Sequence, residues 1–147
     1  LIALVVDASI PLTWCFEDEV TAATQVVEAS VDLEGAVVPA LWRLEIANAL
    51  LRLNGVAVWD VQMEECLELM AALPISLEID PGKNVEDMLF ARAQRLTSYD
   101  AAYLELAIRL DVDLASLDRD LRRAGRTMGV TVFPDGARLK GTRESVP

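Results

Sequence analysis

The sequence predicts an α/β fold whose parallel sheet is covered by helices on both faces. Short apolar runs rich in Val and Ile alternate along the chain with stretches of helical periodicity. The turns between them are short, and parallel strands require such helical crossovers to connect them. At 147 residues, 53% of them hydrophobic, the chain has the length of one domain and the apolar material for its core. Residues 1–135 form that domain, and residues 136–147 read as a frayed tail; no internal repeat, low-complexity tract or linker divides the rest.

The elements follow in order. IALVVDAS is an unbroken apolar run ending on an acid and small residues, the pattern of a strand buried on both faces. Ser9 stands where a helix cap is wanted, with Pro11 in the first turn of SIPLTWCF. Acids and alanines from Glu19 to Glu34 predict a second helix, ending near Gly35, before the short strand AVVPAL. LWRLEIANALLRLNG is a helix closed by Asn54 and Gly55. From Asp60 onward, Val61, Met63, Leu67, Met70 and Leu73 fall at helical spacings until Pro74 stops the run, and ISLEID follows as a strand. A helix from Val85 to Arg95, a break at LTS, a helix from Tyr99 to Leu110 and the strand DLASL repeat the pattern. A basic helix from Arg119 to Met128 then leads into VTVF, the last strand.

Composition narrows the chemistry. There is no histidine, which excludes Ser/His/Asp and Cys/His triads, histidine-based ribonuclease chemistry and zinc sites built on imidazole. Two cysteines, Cys15 and Cys66, are too few for a four-thiolate cage or a disulfide framework, and they read as free, buried thiols of a reduced cytoplasm. No apolar stretch approaches the roughly 20 residues of a membrane span, and the start has no pattern of a secretory signal. Any catalysis must come from carboxylates, hydroxyls and an oxygen-loving metal.

In a parallel α/β sheet, ligands gather beyond the C-terminal ends of the strands, so the informative acids leave a strand or open the next helix. Asp7 ends the first strand, Glu45 lies in the helix after the second, Asp100 sits in a first helical turn after Ser98, and Asp118 follows DLASL. Plain structural roles compete for some of them. Asp118 can cap its helix and Asp100 can favour a helix dipole. Asp7 resists such a reading, because an unpaired charge beside a buried strand is costly. Glu45, Asn48 and Arg52 form one polar stripe on an otherwise apolar helix, and that stripe can equally be a solvated face. If the four acids converge, a cation must compensate them. Mg²⁺ takes oxygen ligands, usually one or two carboxylates with waters and phosphate, and metal-activated water removes the need for a histidine base.

VVDAS, PALWRLEIANAL, LTSYDAAYLELA and LASLDRDL, in that order, resemble the four signature segments of PIN-domain ribonucleases, particularly VapC-type toxins of toxin–antitoxin pairs. The resemblance runs from about Leu4 to Phe133. It implies a three-layer α/β/α fold with a parallel sheet of about five strands, an acidic pocket for Mg²⁺ or Mn²⁺, and endonucleolytic cleavage of RNA. The acids that match the family pattern are Asp7, Glu45, Asp100 and Asp118. Ser9 matches a small hydroxyl residue able to hold a water or phosphate, Asn48 a partner that orients Glu45, and Asp120 a possible outer acid. Tyr99, Tyr103 and the three tryptophans read as packing residues rather than base-stacking platforms.

A formal charge of −11 sits awkwardly with RNA binding, which draws on phosphate contacts. The average conceals an asymmetry: residues 1–118 carry 6 basic and 21 acidic side chains, and residues 119–147 carry 7 and 3. Arg119, Arg122, Arg123 and Arg126 crowd the helix beside Asp118, as an RNA-binding edge or as partners of neighbouring acids. The family resemblance adds a cognate VapB-like antitoxin and a homodimer, for which the Met63 to Met70 stripe is the available apolar face. A PIN-like module that binds without cutting and a receiver-type phosphotransfer domain are the competing readings. The receiver pattern fails on the single acid of VVDAS and the absence of a lysine after VTVF.

Overall fold

A computed structural model describes residues 4–52, 59–78 and 84–134. Five strands form one parallel sheet: β1 (Leu4–Val6), β2 (Ala36–Pro39), β3 (Ile75–Glu78), β4 (Asp113–Ala115) and β5 (Val132–Phe133), in the order β3-β2-β1-β4-β5. Seven described helices join them: α1 (Ser9–Trp14), α2 (Ala22–Glu34), α3 (Trp42–Arg52), α4 (Trp59–Ala72), α5 (Asn84–Gln94), α6 (Ser98–Leu110) and α7 (Arg119–Thr127). The result is the expected three-layer α/β/α sandwich. The closing residues Asn54 and Gly55, the end of ISLEID at Ile79 and Asp80, and the tail at 136–147 lie outside the described residues.

Strand order places the site. The chain runs outward from β1 to β2 and β3, then returns to lay β4 against the other side of β1. The order therefore reverses between β1 and β4, and a crevice opens there at the strands' carboxyl ends. Both central strands are buried throughout, which is why β1 is a continuous apolar run rather than an alternating one, while β4 opens on the buried Asp113. Tyr103, Leu104, Leu106 and Ala107 bury one face of α6 in the core. At the far edge α7 packs closely on β5, and a Cβ added at Gly125 would stand 2.7 Å from Val132 Cγ2, so only glycine allows that approach.

Several local expectations are corrected. Ser9 is the first residue of α1, not its cap; Ala8 holds the cap position and makes no side-chain capping bond. The Ser9 hydroxyl is engaged elsewhere, as described below. The second helix begins at Ala22 rather than near Glu19, because Thr21 and Thr24 form a reciprocal capping box there. Gly35 closes it at φ 80°, a backbone angle that favours glycine. Cys15 and Cys66 are not free thiols: they are disulfide-bonded, with Cα atoms 4.9 Å apart, tying the end of α1 to α4 across 51 residues of sequence. Composition could not show this, since only the sandwich brings these helices together.

The aromatic residues divide. Trp14 is buried with its Nε1 donating to Thr24 O at 2.9 Å, Trp42 is buried, and Tyr103 is fully buried. Tyr99, expected to pack, is 64% exposed. The methionine stripe is mixed as well: Met63 and Met70 pack against the core, while Leu67 between them is exposed.

Candidate active site

The site is built on the turn after β1. Asp7 continues the ladder one residue beyond the strand, its N–H donating to Ala115 O at 3.0 Å. That bond carries the side chain into the crevice, where it is only 5% exposed. Oδ1 accepts from the Ser9 N–H at 3.0 Å and from the Ser9 hydroxyl, and Oδ2 accepts from Ser116 Oγ at 2.6 Å. Each hydroxyl has a second duty on the opposite turn: Ser9 Oγ accepts from Leu117 N and Ser116 Oγ from Asp118 N, both at 2.9 Å. The two serines thus lock the turn after β1 to the turn after β4 with Asp7 between them. Burial, with a smaller contribution from Glu45, pushes the Asp7 carboxyl up to about 6 against the lowering effect of the Ser116 and Ser9 bonds.

The remaining acids arrive from three other elements. Glu45, in the first turn of α3, is half-buried, and Tyr103 of α6 donates its hydroxyl to Glu45 Oε1 at 2.5 Å. Burial raises the Glu45 carboxyl, the Tyr103 bond opposes this, and Asp100 raises it again. Asp100 stands in the first turn of α6, which Thr97 caps through a 3.1 Å bond from the Asp100 N–H. Its carboxyl is raised by burial, then by Asp118, and to a smaller degree by Asp120. Asp118 does cap α7, its Oδ1 accepting from Leu121 N at 2.8 Å. Capping does not remove it from the cluster, since Asp100 still feels its charge. Repulsion therefore links Asp7 to Glu45, Glu45 to Asp100 and Asp100 to Asp118. The four sequence-predicted acids are thus connected pairwise by repulsion near the carboxyl ends of β1 and β4.

Among the described residues, no three acids already stand together as a ready-made metal cage. The donor set nevertheless suits Mg²⁺ or Mn²⁺, because it consists of carboxylates and hydroxyls, and such ions need only one or two protein carboxylates. The carboxylates that burial and mutual repulsion disfavour as anions are those a divalent cation would favour.

The polar stripe of α3 lies on the same side. From Glu45 a cleft of about 420 Å³ runs past Asn48 to Arg52, with Ala8, Leu12 and Leu41 among its apolar lining and Tyr99 at its edge. Asn48 and Arg52 are exposed, so the stripe is solvated and also faces the crevice. Asp120 is exposed and pairs with Arg123 at 3.4 Å, an arrangement that contributes little.

The arginines of α7 differ in what they do. Arg122 donates from Nη1 to Ser116 O at 2.8 Å and from Nη2 to Pro134 O at 2.7 Å, tying β4 to the end of β5. Arg123 donates to Gln94 O at 2.9 Å as well as pairing with Asp120. Arg126 is exposed and is also engaged within the fold, and Arg119 is exposed next to Asp118.

Two residues of the site escaped the sequence reading. Ser116 carried a usable signal, because it leaves β4 two residues before Asp118, where the rule that singled out the acids applies equally to hydroxyls. Tyr103 carried none: a tyrosine on an apolar helix face looks like packing, and it is packing except for its hydroxyl.

Comparison with known proteins bears on the fold and family. The PIN domain family model matches residues 4–127. The crystal structure of PAE2754 from Pyrobaculum aerophilum aligns over 89% of each chain with a TM-score of 0.67 and 24% identity. That of FitAcB from Neisseria gonorrhoeae aligns over 89% of this chain and 96% of its own, with a TM-score of 0.63 and 16% identity. At these identities the two structures support the fold alone. No curated protein matches the chain. With the family model spanning all four acids and both serines, the chain belongs to the PIN-domain family.

Proposed function

We propose that this protein is a Mg²⁺- or Mn²⁺-dependent endoribonuclease, the VapC-type toxin of a toxin–antitoxin pair. PIN domains are commonly metal-dependent nucleases. The observation that carries the reading is the buried Asp7, held by Ser9 and Ser116 at the switch point and electrostatically linked to Glu45 and, through it, to Asp100 and Asp118. A fold gains no stability from such a cluster, so its use lies in binding a cation.

In this reading Asp7, Asp100 and Asp118 hold the metal, and Glu45 holds metal or positions the attacking water. When bound, the ion supplies a Lewis acid and water acidified enough to attack phosphorus near neutral pH. The chain's own residues fix the geometry. Ser9 and Ser116 keep both Asp7 oxygens in place, Tyr103 fixes Glu45, and exposed Asn48 approaches Glu45 from one helical turn further along α3. Arg119 is the arginine best placed to meet a phosphate beside Asp118, with Arg123 and Arg126 further along the helix. Arg122 holds the β4–α7 turn, and any service to RNA is indirect. A VapB-like antitoxin and a homodimer complete the proposal; among the described residues, no helix is long and apolar enough to cross a membrane.

Incubation with labelled RNA in Mg²⁺, then with chelator, tests the assignment. Internal cleavage that stops on chelation is expected, and it should vanish in Asp7→Asn. Binding without cleavage at any divalent concentration would instead establish a non-cutting module.

A further inference from the structure

Tyr99 is 64% exposed, while Tyr103, one turn further along α6, is fully buried. Most of the apolar residues of α6, Ala101, Tyr103, Leu104, Leu106 and Ala107, face the core, and Tyr99 does not. Its position is specific. Tyr99 immediately precedes Asp100, and its side chain lines the cleft that begins at Glu45. The floor of that cleft is apolar, with Leu12, Leu41 and Leu44 among its lining, and Leu44 is 70% exposed. The far end is basic: Arg52 has no carboxylate partner among the described residues. Glu45 and Arg52 are seven residues apart on one face of α3, so their Cα atoms lie about 10.5 Å apart along the helix axis.

We propose that Tyr99 is a stacking platform for an unpaired base of the substrate strand, and that Arg52 takes a phosphate of the same strand at the far end of the cleft. The proposal rests on the endoribonuclease reading, since the strand must cross the acids for its phosphate to be cut. Charge selects the occupant. A strand whose phosphate lies near the acids is carried past an exposed ring towards a guanidinium that has no carboxylate partner among the described residues. Stacking on an aromatic ring is indifferent to base identity, so Tyr99 sets affinity and the register of cutting rather than a strict sequence. Asp100 and Tyr99 are consecutive, which couples the position of the stacked base to the position of the reacting phosphate.

The test measures steady-state cleavage of a short unpaired RNA in Mg²⁺. Tyr99→Ala is expected to raise KM between about 5- and 150-fold, the range of one lost base–aromatic stack, with little change in kcat. Tyr99→Phe keeps the ring and is expected to restore KM to within about threefold, as stacking requires no hydroxyl. Arg52→Gln should lower the salt dependence of KM by about one unit of slope. An abasic strand of equal length should inhibit wild type and Tyr99→Ala equally, because only the base meets the ring. Equal melting temperatures would show that Tyr99→Ala is folded. If wild type cleaves and Tyr99→Ala cleaves with unchanged KM, the stacking role is overturned while the nuclease reading stands, and loss of a protein partner in that variant would assign the ring to protein docking. If wild type fails to cleave RNA with any divalent ion, both readings fall.

Discussion

The crevice around Asp7 and the helix of arginines beside it treat charge in opposite ways. Asp7 is almost fully enclosed, and its carboxyl is pushed up to about 6 despite bonds from Ser9 and Ser116. Arg122 and Arg123 lie nearer the surface and spend their guanidinium groups on the carbonyls of Ser116, Pro134 and Gln94. The first region holds charge that the fold would be more stable without. The second uses charge to fasten the fold together. A count of acids and bases sees only sign, whereas burial and hydrogen bonding decide which charges are available for chemistry.

The sharpest way to break this contrast is Asp7→Asn. Cleavage should fall by more than the 10- to 100-fold that commonly follows loss of a group behind a metal ligand. Stability should rise at neutral pH, because ionising Asp7 in the folded state costs about 3 kcal/mol, judged from the difference between 3.8 and about 6. Calorimetry with and without the substitution checks it. A lower melting temperature would mean that the Asp7 hydrogen bonds outweigh its burial.

Ser116→Ala should cost about 10- to 100-fold in activity. It also removes a bond that lowers the Asp7 carboxyl, so the acid limb of the pH–rate profile should move to higher pH. A drop in rate with an unmoved limb would make Ser116 structural only.

In the arginine region, Arg122→Gln is expected to destabilise the fold by about 1.5–3 kcal/mol for each charged hydrogen bond lost, measured by urea denaturation. Arg119→Gln should leave stability within about 0.5 kcal/mol and instead lower the salt slope of RNA binding by about one. The opposite pairing of effects would reverse the division drawn between these arginines.

The same group predicts a pH trend. Because the folded Asp7 carboxyl titrates higher than the unfolded one, it contributes stability below pH 3.8 that is lost as pH rises to about 6. Denaturation midpoints measured across that window should show a downward contribution that Asp7→Asn abolishes. Saturating Mg²⁺ at neutral pH should return part of it, since an ion bound only by the folded state stabilises it.

Much of the site was legible because parallel α/β architecture follows a positional rule: acids that leave a strand or open the next helix sit near the ligand crevice. That rule singles out Asp7, Glu45, Asp100 and Asp118 as candidates, and it extends to Ser116 if hydroxyls are treated alike. It could not find Tyr103, whose hydroxyl is distinguished only by reaching Glu45 across 58 residues of sequence. Nor could it decide between Tyr99 and Tyr103, two tyrosines one helical turn apart on the same helix, of which one is enclosed and the other stands open.

By itself the sequence determined the alternation of strands and helices, the exclusion of imidazole chemistry and the choice of four candidate acids, since these depend on local pattern and composition. The tertiary structure decided which charges are enclosed, which hydroxyls hold them, that Cys15 meets Cys66, and which arginines are already engaged. Those outcomes depend on distances between residues far apart in the chain, and only the order of strands in the sheet sets them.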